Sequence, residues 1–401
     1  MSNGLDTLPE TIAGLPTRAP ALGSSRNYHL DAMRGLAAFL VVCYHTRLAF
    51  FVPYKQAGSG LLVNLLYIDH YVAGAAVIFF FALSGYLVGS SVLGANQRGK
   101  WSWFNYLLSR LTRLWVVLIP ALLLTALWDF IGRSTARTLP TYLEQSTSYL
   151  VPQITLDTFG SFVGTLFFVQ DILTRIYGTL GPAWSLANEF WYYVLFPLAA
   201  LCFFQRRKAV LYAVLFLAAA WFCGGHILVL FPTWLFGLVA GYFANRFPLR
   251  SNLKRRGLFV ASFLLILGSI LGQAAHRLGG HLPDYTIGLG SLGLIWSALC
   301  APPASGLYAR TAILLSEISY TLYLTHQPLM VLLSAFWHHG NRWPPDLPHV
   351  LLTIIPVSIA LLFAYLMYFL FESRTDKVRD FIKSAIFSRP SSQPLPAKSG
   401  L

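Results

Sequence analysis

Apolar residues run through this chain in long blocks rather than in the short alternations of a half-buried strand. Ten blocks have the length and apolarity of membrane-crossing helices, at about 32–52, 72–92, 107–129, 183–203, 209–225, 227–245, 257–275, 285–301, 311–336 and 350–371. The longest connection is 131–182. Its stretch FGSFVGTLFFVQDI is too short and too interrupted by glycine to span, and it predicts an interfacial or re-entrant helix. No internal repeat is visible, which weighs against an inverted-repeat transporter. The expected fold is all-α: a polytopic integral membrane helical bundle of about ten transmembrane helices.

Composition agrees, with 56% hydrophobic and 11% charged residues, where a soluble domain carries about a quarter charged. The formal net charge of +14 does not point to nucleic acid, because no segment interleaves dense Lys/Arg with aromatics. With the N-terminus inside, 22 of the 29 Lys and Arg fall in inner links and 7 in outer ones. That bias predicts both termini in the cytoplasm of a multi-pass protein of the cytoplasmic (inner) membrane. An eleventh crossing within 131–182 would invert every later link and destroy the bias. Residues 1–28 contain Pro, Gly, Ser and Ala without an apolar core run, so they read as a disordered cytoplasmic arm rather than a signal peptide. The membrane domain then covers 29–375, and 376–401, ending in SRPSSQPLPAKSGL, reads as a cytoplasmic tail without a second domain. Cys43, Cys202, Cys223 and Cys300 lie in or beside apolar blocks without ligand spacing, so no metal site is expected.

Polar residues inside the blocks carry the chemistry. In HLDAMRGLAAFLVVCYHTRLAF, Arg34 and His45 stand eleven residues apart, close to three helical turns. They share a face, roughly 16 Å apart along the axis. Glu189, some six residues into the fourth block, falls at a depth similar to that of His45. A carboxylate in a bilayer needs a partner, and imidazole is a natural one. The two therefore predict a catalytic pair, Glu189 orienting His45 as general base, or else a polar pair that only fastens two helices. Arg110 and Arg113, three apart at the inner entry of the third block, join Arg34 at one level. Three guanidiniums there suit a phosphate-bearing ligand, or ordinary positive-inside anchoring. Ser84 and Gly85 lie near mid-membrane in FFFALSGYL; a small pair lets helices approach or opens a channel for a thin ligand arm. His326 is a further buried imidazole, a substrate ligand or a satisfied bundle residue.

Taken together, these stretches resemble the type-3 membrane acyltransferases, multi-span enzymes that O-acetylate sugars. The family's first-span basic residue, ten residues, then His is similar to Arg34 and His45. Its Phe-Phe-x-x-Ser-Gly element resembles Phe80, Phe81, Ser84 and Gly85, and its Arg-x-x-Arg element Arg110 and Arg113. WSLANEFWYYVLFP resembles its Trp-Ser-Leu…Glu segment through Trp184, Ser185, Leu186 and Glu189. ISYTLYLTHQPLM resembles its late segment through Ser319, Tyr320, Tyr323, Leu324, His326 and Pro328. The five stretches come in order from about 28 to 375. Ser373 and Arg374 stand where the family often has a proline after Glu372.

The resemblance implies transfer of an acyl group, acetyl foremost, from acyl-CoA (acetyl-CoA) to a hydroxyl of an extracytoplasmic glycan or lipid-linked sugar, of O-antigen or exopolysaccharide type. Arg34, Arg110 and Arg113 would hold the donor phosphates, and the pantetheine arm would pass Ser84 and Gly85. Trp184, Ser185, Tyr320 and His326 are the expected substrate contacts. Direct transfer through His45 and an acyl-enzyme on His45 or Ser185 both remain open. The expected partners are the lipid bilayer, acyl-CoA, the glycan acceptor, and either glycan-assembly proteins or a second copy of the chain. Some relatives carry a C-terminal hydrolase-like domain; here acceptor recognition is expected from the spans, the outer loops or another protein. The rival readings are a proton-coupled transporter or flippase using the His and Glu as a relay, and a non-catalytic partner in glycan assembly.

Overall fold

The computed structural model describes residues 26–135, 138, 142, 159–338 and 341–387. Most of the expected arm, residues 1–25, and the Ser/Pro-rich end, residues 388–401, lie outside the described residues. Within the described residues the chain is all-helical, with no strand. The helices are α1 (Tyr28–Phe50), α2 (Leu61–Tyr67), α3 (Asp69–Ser84), α4 (Ser90–Gln97), α5 (Trp103–Ser134), α6 (Phe159–Leu166), α7 (Ala183–Phe204), α8 (Ala209–Leu228), α9 (Phe231–Arg246), α10 (Asn252–Ala274), α11 (Leu282–Leu299), α12 (Gly306–His338), α13 (Leu347–Leu352), α14 (Ile354–Leu370) and α15 (Thr375–Phe387). Asn27 starts α1 by accepting the His29 and Leu30 N–H groups on its side-chain oxygen, and Ser102 caps α5 in the same way. The start of the expected polar tail is helical, as α15.

Among the described residues, six helical stretches are long and apolar enough to cross a membrane: Leu61–Gln97, Trp103–Ser134, Ala183–Phe204, Arg206–Leu228, Asn252–Ala274 and Leu347–Ile386. The other four expected spans coincide with α1, α9, α11 and α12. Of these, α9 has 16 residues, short for an upright crossing. Both α1 and α12 carry the polar residues of the site described below.

The bundle has two ends, here called proximal (carrying Tyr28) and distal (carrying Phe50). α1 and α12 run parallel. Asp31 accepts from Ser316 near the proximal end, and His45 meets His326 farther up. Gly35 makes the approach possible, since a Cβ there would fall 2.5 Å from Leu315 Cβ. α3 runs antiparallel to α1, tied distally by the buried Arg47, which grips both oxygens of Asp69 at 2.9 Å. α3 and α9 touch backbone to backbone. A Cβ on Gly85 would lie 1.7 Å from the Trp234 carbonyl oxygen, and one on Gly237 1.6 Å from that of Ala82. Between helices in lipid no water-exclusion force operates, so contacts at this range hold them together. A π-helical turn, Gly85–Gly89, follows Ser84 and leads into α4.

The segment before α7 decides the depth of the site. α6, in the stretch expected to be interfacial or re-entrant, packs against α5. Trp115 Nε1 donates to the Leu166 carbonyl at 2.9 Å, and Trp191 Nε1 to that of Phe168 at 2.9 Å. The chain then climbs back only part of the way. Thr179 is held by the buried Asp129, accepting at 2.9 and 2.7 Å, and Gly181 lies against the Gln327 side chain. α7 therefore begins inside the bundle, where Ser185 Oγ meets the Tyr323 hydroxyl at 2.7 Å.

Candidate active site

Seven of the eleven residues singled out in the sequence face one cavity of about 210 Å³: Arg34, Ser84, Arg110, Arg113, Ser185, Glu189 and Tyr320. The cavity sits between α1, α3, α5, α7 and α12. Its middle is apolar, with Phe81, Leu83, Leu114 and Leu186 on its walls. At the proximal end it shares the three arginines with a vestibule of about 460 Å³ that also holds Glu372 and Arg379.

The guanidiniums of Arg34, Arg110 and Arg113 have no hydrogen bond or ion pair to any described residue. Their neighbours differ. Arg26 pairs with Asp31 at 2.5 Å and Glu317 at 2.9 Å, and Arg379 with Asp376 at 2.8 Å. Glu372 shares the vestibule with the three arginines, but its own hydrogen bonds come from Thr321, Oγ1 donating at 2.5 Å. Arg110 lies over the Tyr106 and Tyr193 rings at 5.8 and 5.9 Å from their centres. Three unpaired cations around one cavity mouth suit a multiply charged anion.

Four residues fall elsewhere. Gly85 turns away from the cavity into the α3–α9 contact, so of the Ser-Gly pair only Ser84 faces a ligand path. Trp184 points from the other side of α7 into a distal cavity of about 780 Å³, with Asp171, Asn188, His226 and His281. His45 and His326 lie beyond the distal end of the main cavity, behind Phe80 and Tyr323, whose rings are 5.7 Å apart. The His326 ring is 6.1 Å from that of Tyr323.

The expected pairing of His45 with Glu189 is not made. Glu189 Oε1 accepts from Ser84 Oγ at 3.1 Å and from the Tyr193 hydroxyl, while Trp234 Nε1 donates to Ser84 at 3.2 Å. The reason is depth. Because α7 starts level with Tyr323, Glu189 lies a turn below that level and His326 a turn above it. At 1.5 Å per residue the two sites are separated by about 10 Å.

The partner of His45 is His326, 3.0 Å from Nδ1 to Nε2. The tautomers follow from the acceptors. His326 Nδ1 faces the Leu322 carbonyl at 2.9 Å and His45 Nδ1 the Val41 carbonyl at 3.0 Å. Carbonyls only accept, so both Nδ1 atoms carry hydrogen. His45 Nδ1–H is then shared with the bare Nε2 of His326, and His45 Nε2 is left as the basic nitrogen. Distally, the Tyr44 ring stands edge-on to His45 at 4.7 Å, and its hydroxyl meets the exposed His70 at 3.1 Å.

Some residues of the site escaped the sequence reading. Tyr193 follows Glu189 by four residues, a helical spacing that marks a shared face. Arg47 sits among the outer-link charges in the sequence, yet its guanidinium is buried on Asp69, 4.4 Å from the centre of the Tyr67 ring. Ser185 donates to the Pro182 carbonyl at 3.0 Å and meets a phenol, so no base activates it. Within the described residues no group of three His, Cys, Asp or Glu could hold a metal.

A helical membrane bundle with three guanidiniums at a cavity mouth, an apolar shaft and an imidazole pair has parts suited to group transfer. The model of the acyltransferase 3 family, described as an acyltransferase domain, matches residues 27–369, and the chain belongs to that family. No curated protein and no solved structure shows a significant match. The protein is thus a multi-pass membrane acyltransferase.

Proposed function

We propose that this acyltransferase moves an acyl group, acetyl foremost, from cytoplasmic acyl-CoA to a hydroxyl of an extracytoplasmic glycan or lipid-linked sugar. The observation that carries this reading is the trio of unpaired guanidiniums at the mouth of a shaft leading toward a histidine base. The phosphates of CoA match that mouth in charge, and the thin, unbranched pantetheine arm suits a narrow shaft. The excess of Lys and Arg on the proximal links makes that end cytoplasmic, with ten crossings, both termini inside, and the protein in the inner membrane.

In this mechanism Arg34, Arg110 and Arg113 hold the phosphates. The thioester passes the layer of Phe80 and Tyr323 to reach His45. The acceptor arrives from the distal side, past His70 and Tyr44. His45 Nε2 takes the proton from the acceptor hydroxyl, whose oxygen attacks the thioester carbonyl. The C–S bond breaks, and the CoA sulfur leaves to take up a proton. His326 holds the tautomer of His45 and shares its Nδ1 hydrogen as positive charge develops. A transporter has no use for an unpaired arginine trio aimed into an apolar shaft.

The test is calorimetry of the purified protein with acetyl-CoA. Arg110→Ala with Arg113→Ala should weaken binding at least tenfold, since each charge-assisted contact is worth about 1.5–3 kcal/mol. Unchanged affinity would return both residues to membrane anchoring. Mass analysis of surface glycans from cells lacking the gene would identify the acceptor.

A further inference from the structure

Glu189 has no role in the mechanism above, yet it is a carboxylate in the apolar middle of the donor shaft. Such a group is costly in a membrane protein unless something binds it. Its two oxygens differ. Oε1 already accepts from Ser84 and Tyr193. Oε2 accepts from no described residue, and Glu189 lines the cavity. The arrangement is fixed from behind, as Trp234 Nε1 holds Ser84 at 3.2 Å and the Tyr106 hydroxyl holds the Tyr193 carbonyl at 2.9 Å. Along the shaft Glu189 lies between the arginines at the mouth and the imidazole pair, about 10 Å short of the pair.

We infer that Glu189 is a specificity residue for the donor: its Oε2 accepts a hydrogen bond from one of the two secondary amide N–H groups of the pantetheine arm. This rests on acyl-CoA being the donor. An amide drawn into an apolar shaft loses its water and needs a partner there. Phe81, Leu83, Leu114 and Leu186 offer none; Ser185, Ser319, Tyr320 and Tyr323 add neutral hydroxyls already bonded to other groups, and Glu189 is the one carboxylate among the described residues of the lining. The carboxylate thereby selects a thioester carried on an amide-bearing arm over a plain hydrocarbon thioester. It also sets how far the arm advances toward His45.

The experiment measures binding of acetyl-CoA and of two analogues, each with one pantetheine amide N–H replaced by an ester oxygen. For wild type, one analogue should bind about tenfold more weakly or worse, the size expected for a hydrogen bond to a charged group. In Glu189→Ala that penalty should vanish. Glu189→Gln keeps the shape and guards against a folding defect. Its amide oxygen is claimed by the Ser84 and Tyr193 donors, which turns its NH₂ toward the shaft, so the penalty should vanish there too. Taking the analogue-to-parent ratio within each variant cancels any change in the charge felt by the arginines. If both variants keep the wild-type penalty, or wild type shows none, the inference is wrong while the donor reading stands. Wild type that does not bind acetyl-CoA at all would overturn the donor reading itself, and this inference with it.

Discussion

An imidazole acts as a base when one nitrogen is free and the other is held, and His45 meets both conditions through Val41 and His326. His45→Ala should therefore cost about 10²–10⁴-fold in transfer, the usual contribution of a positioned general base. In the proposed mechanism His326 acts through His45, so its loss should be milder, about 10–100-fold by analogy with other groups that orient a histidine. A purely structural role would not move the pH–rate profile, whereas loss of the Nε2 acceptor should shift it. The double variant should be little worse than His45→Ala, because the two act as one unit. Purified enzyme with labelled acetyl-CoA and acceptor glycan reads all three. Normal transfer by His45→Ala would leave the pair as a helix fastener. The sequence already singled out both histidines. It did not show that they meet, because the contact joins residues 281 positions apart and depends on α1 and α12 running side by side.

At the scale of helices, the site is only as well placed as the contact between α3 and α9. Ser84 faces the shaft because Gly85, its neighbour, lets the Trp234 backbone approach from behind. Gly237→Ala would place a Cβ 1.6 Å from the Ala82 carbonyl oxygen, with backbone on both sides and nowhere to move. The expected loss is about 1–3 kcal/mol or more, as for other overpacked contacts. Gly74→Ala is the control: nothing lies within 4 Å of its Cβ, and alanine favours the helix by up to about 1 kcal/mol. Thermal unfolding in detergent should separate the two, and equal midpoints would refute the close-contact account. The FFFALSGYL motif was legible as a small-residue pair, with both uses of such a pair in view. The structure divides them, with glycine for packing and serine for the shaft.

For the whole molecule, orientation is the property on which the proposed chemistry depends, since the donor must enter from the side that holds CoA. Lys254 and His281 are both exposed and lie at opposite ends of the bundle, one at the start of α10 and one just before α11. In a protein cleared of its four cysteines, a cysteine at 254 should react only from the cytoplasm and one at 281 only from outside. The reverse pattern would place the arginine mouth away from the CoA pool and end the donor assignment.

What the sequence determined by itself is the class of fold, the positions of the helices and the residue types that carry charge in lipid. Those follow from local composition and period, because a backbone in a bilayer must bond within its own segment. The sequence also marked 159–172 as an interfacial or re-entrant stretch, since it is too short and too interrupted by glycine to span. Depth was decided by the tertiary structure alone. Counting inward from an assumed surface put Glu189 level with His45. The loop at 167–182 returns only as far as Gln327, so α7 starts within the bundle and carries Glu189 past the histidine into the shaft. Nothing in the local pattern encodes how far a loop climbs. That is fixed by Asp129 on Thr179 and by Gly181 against Gln327, contacts that exist only once the helices have packed.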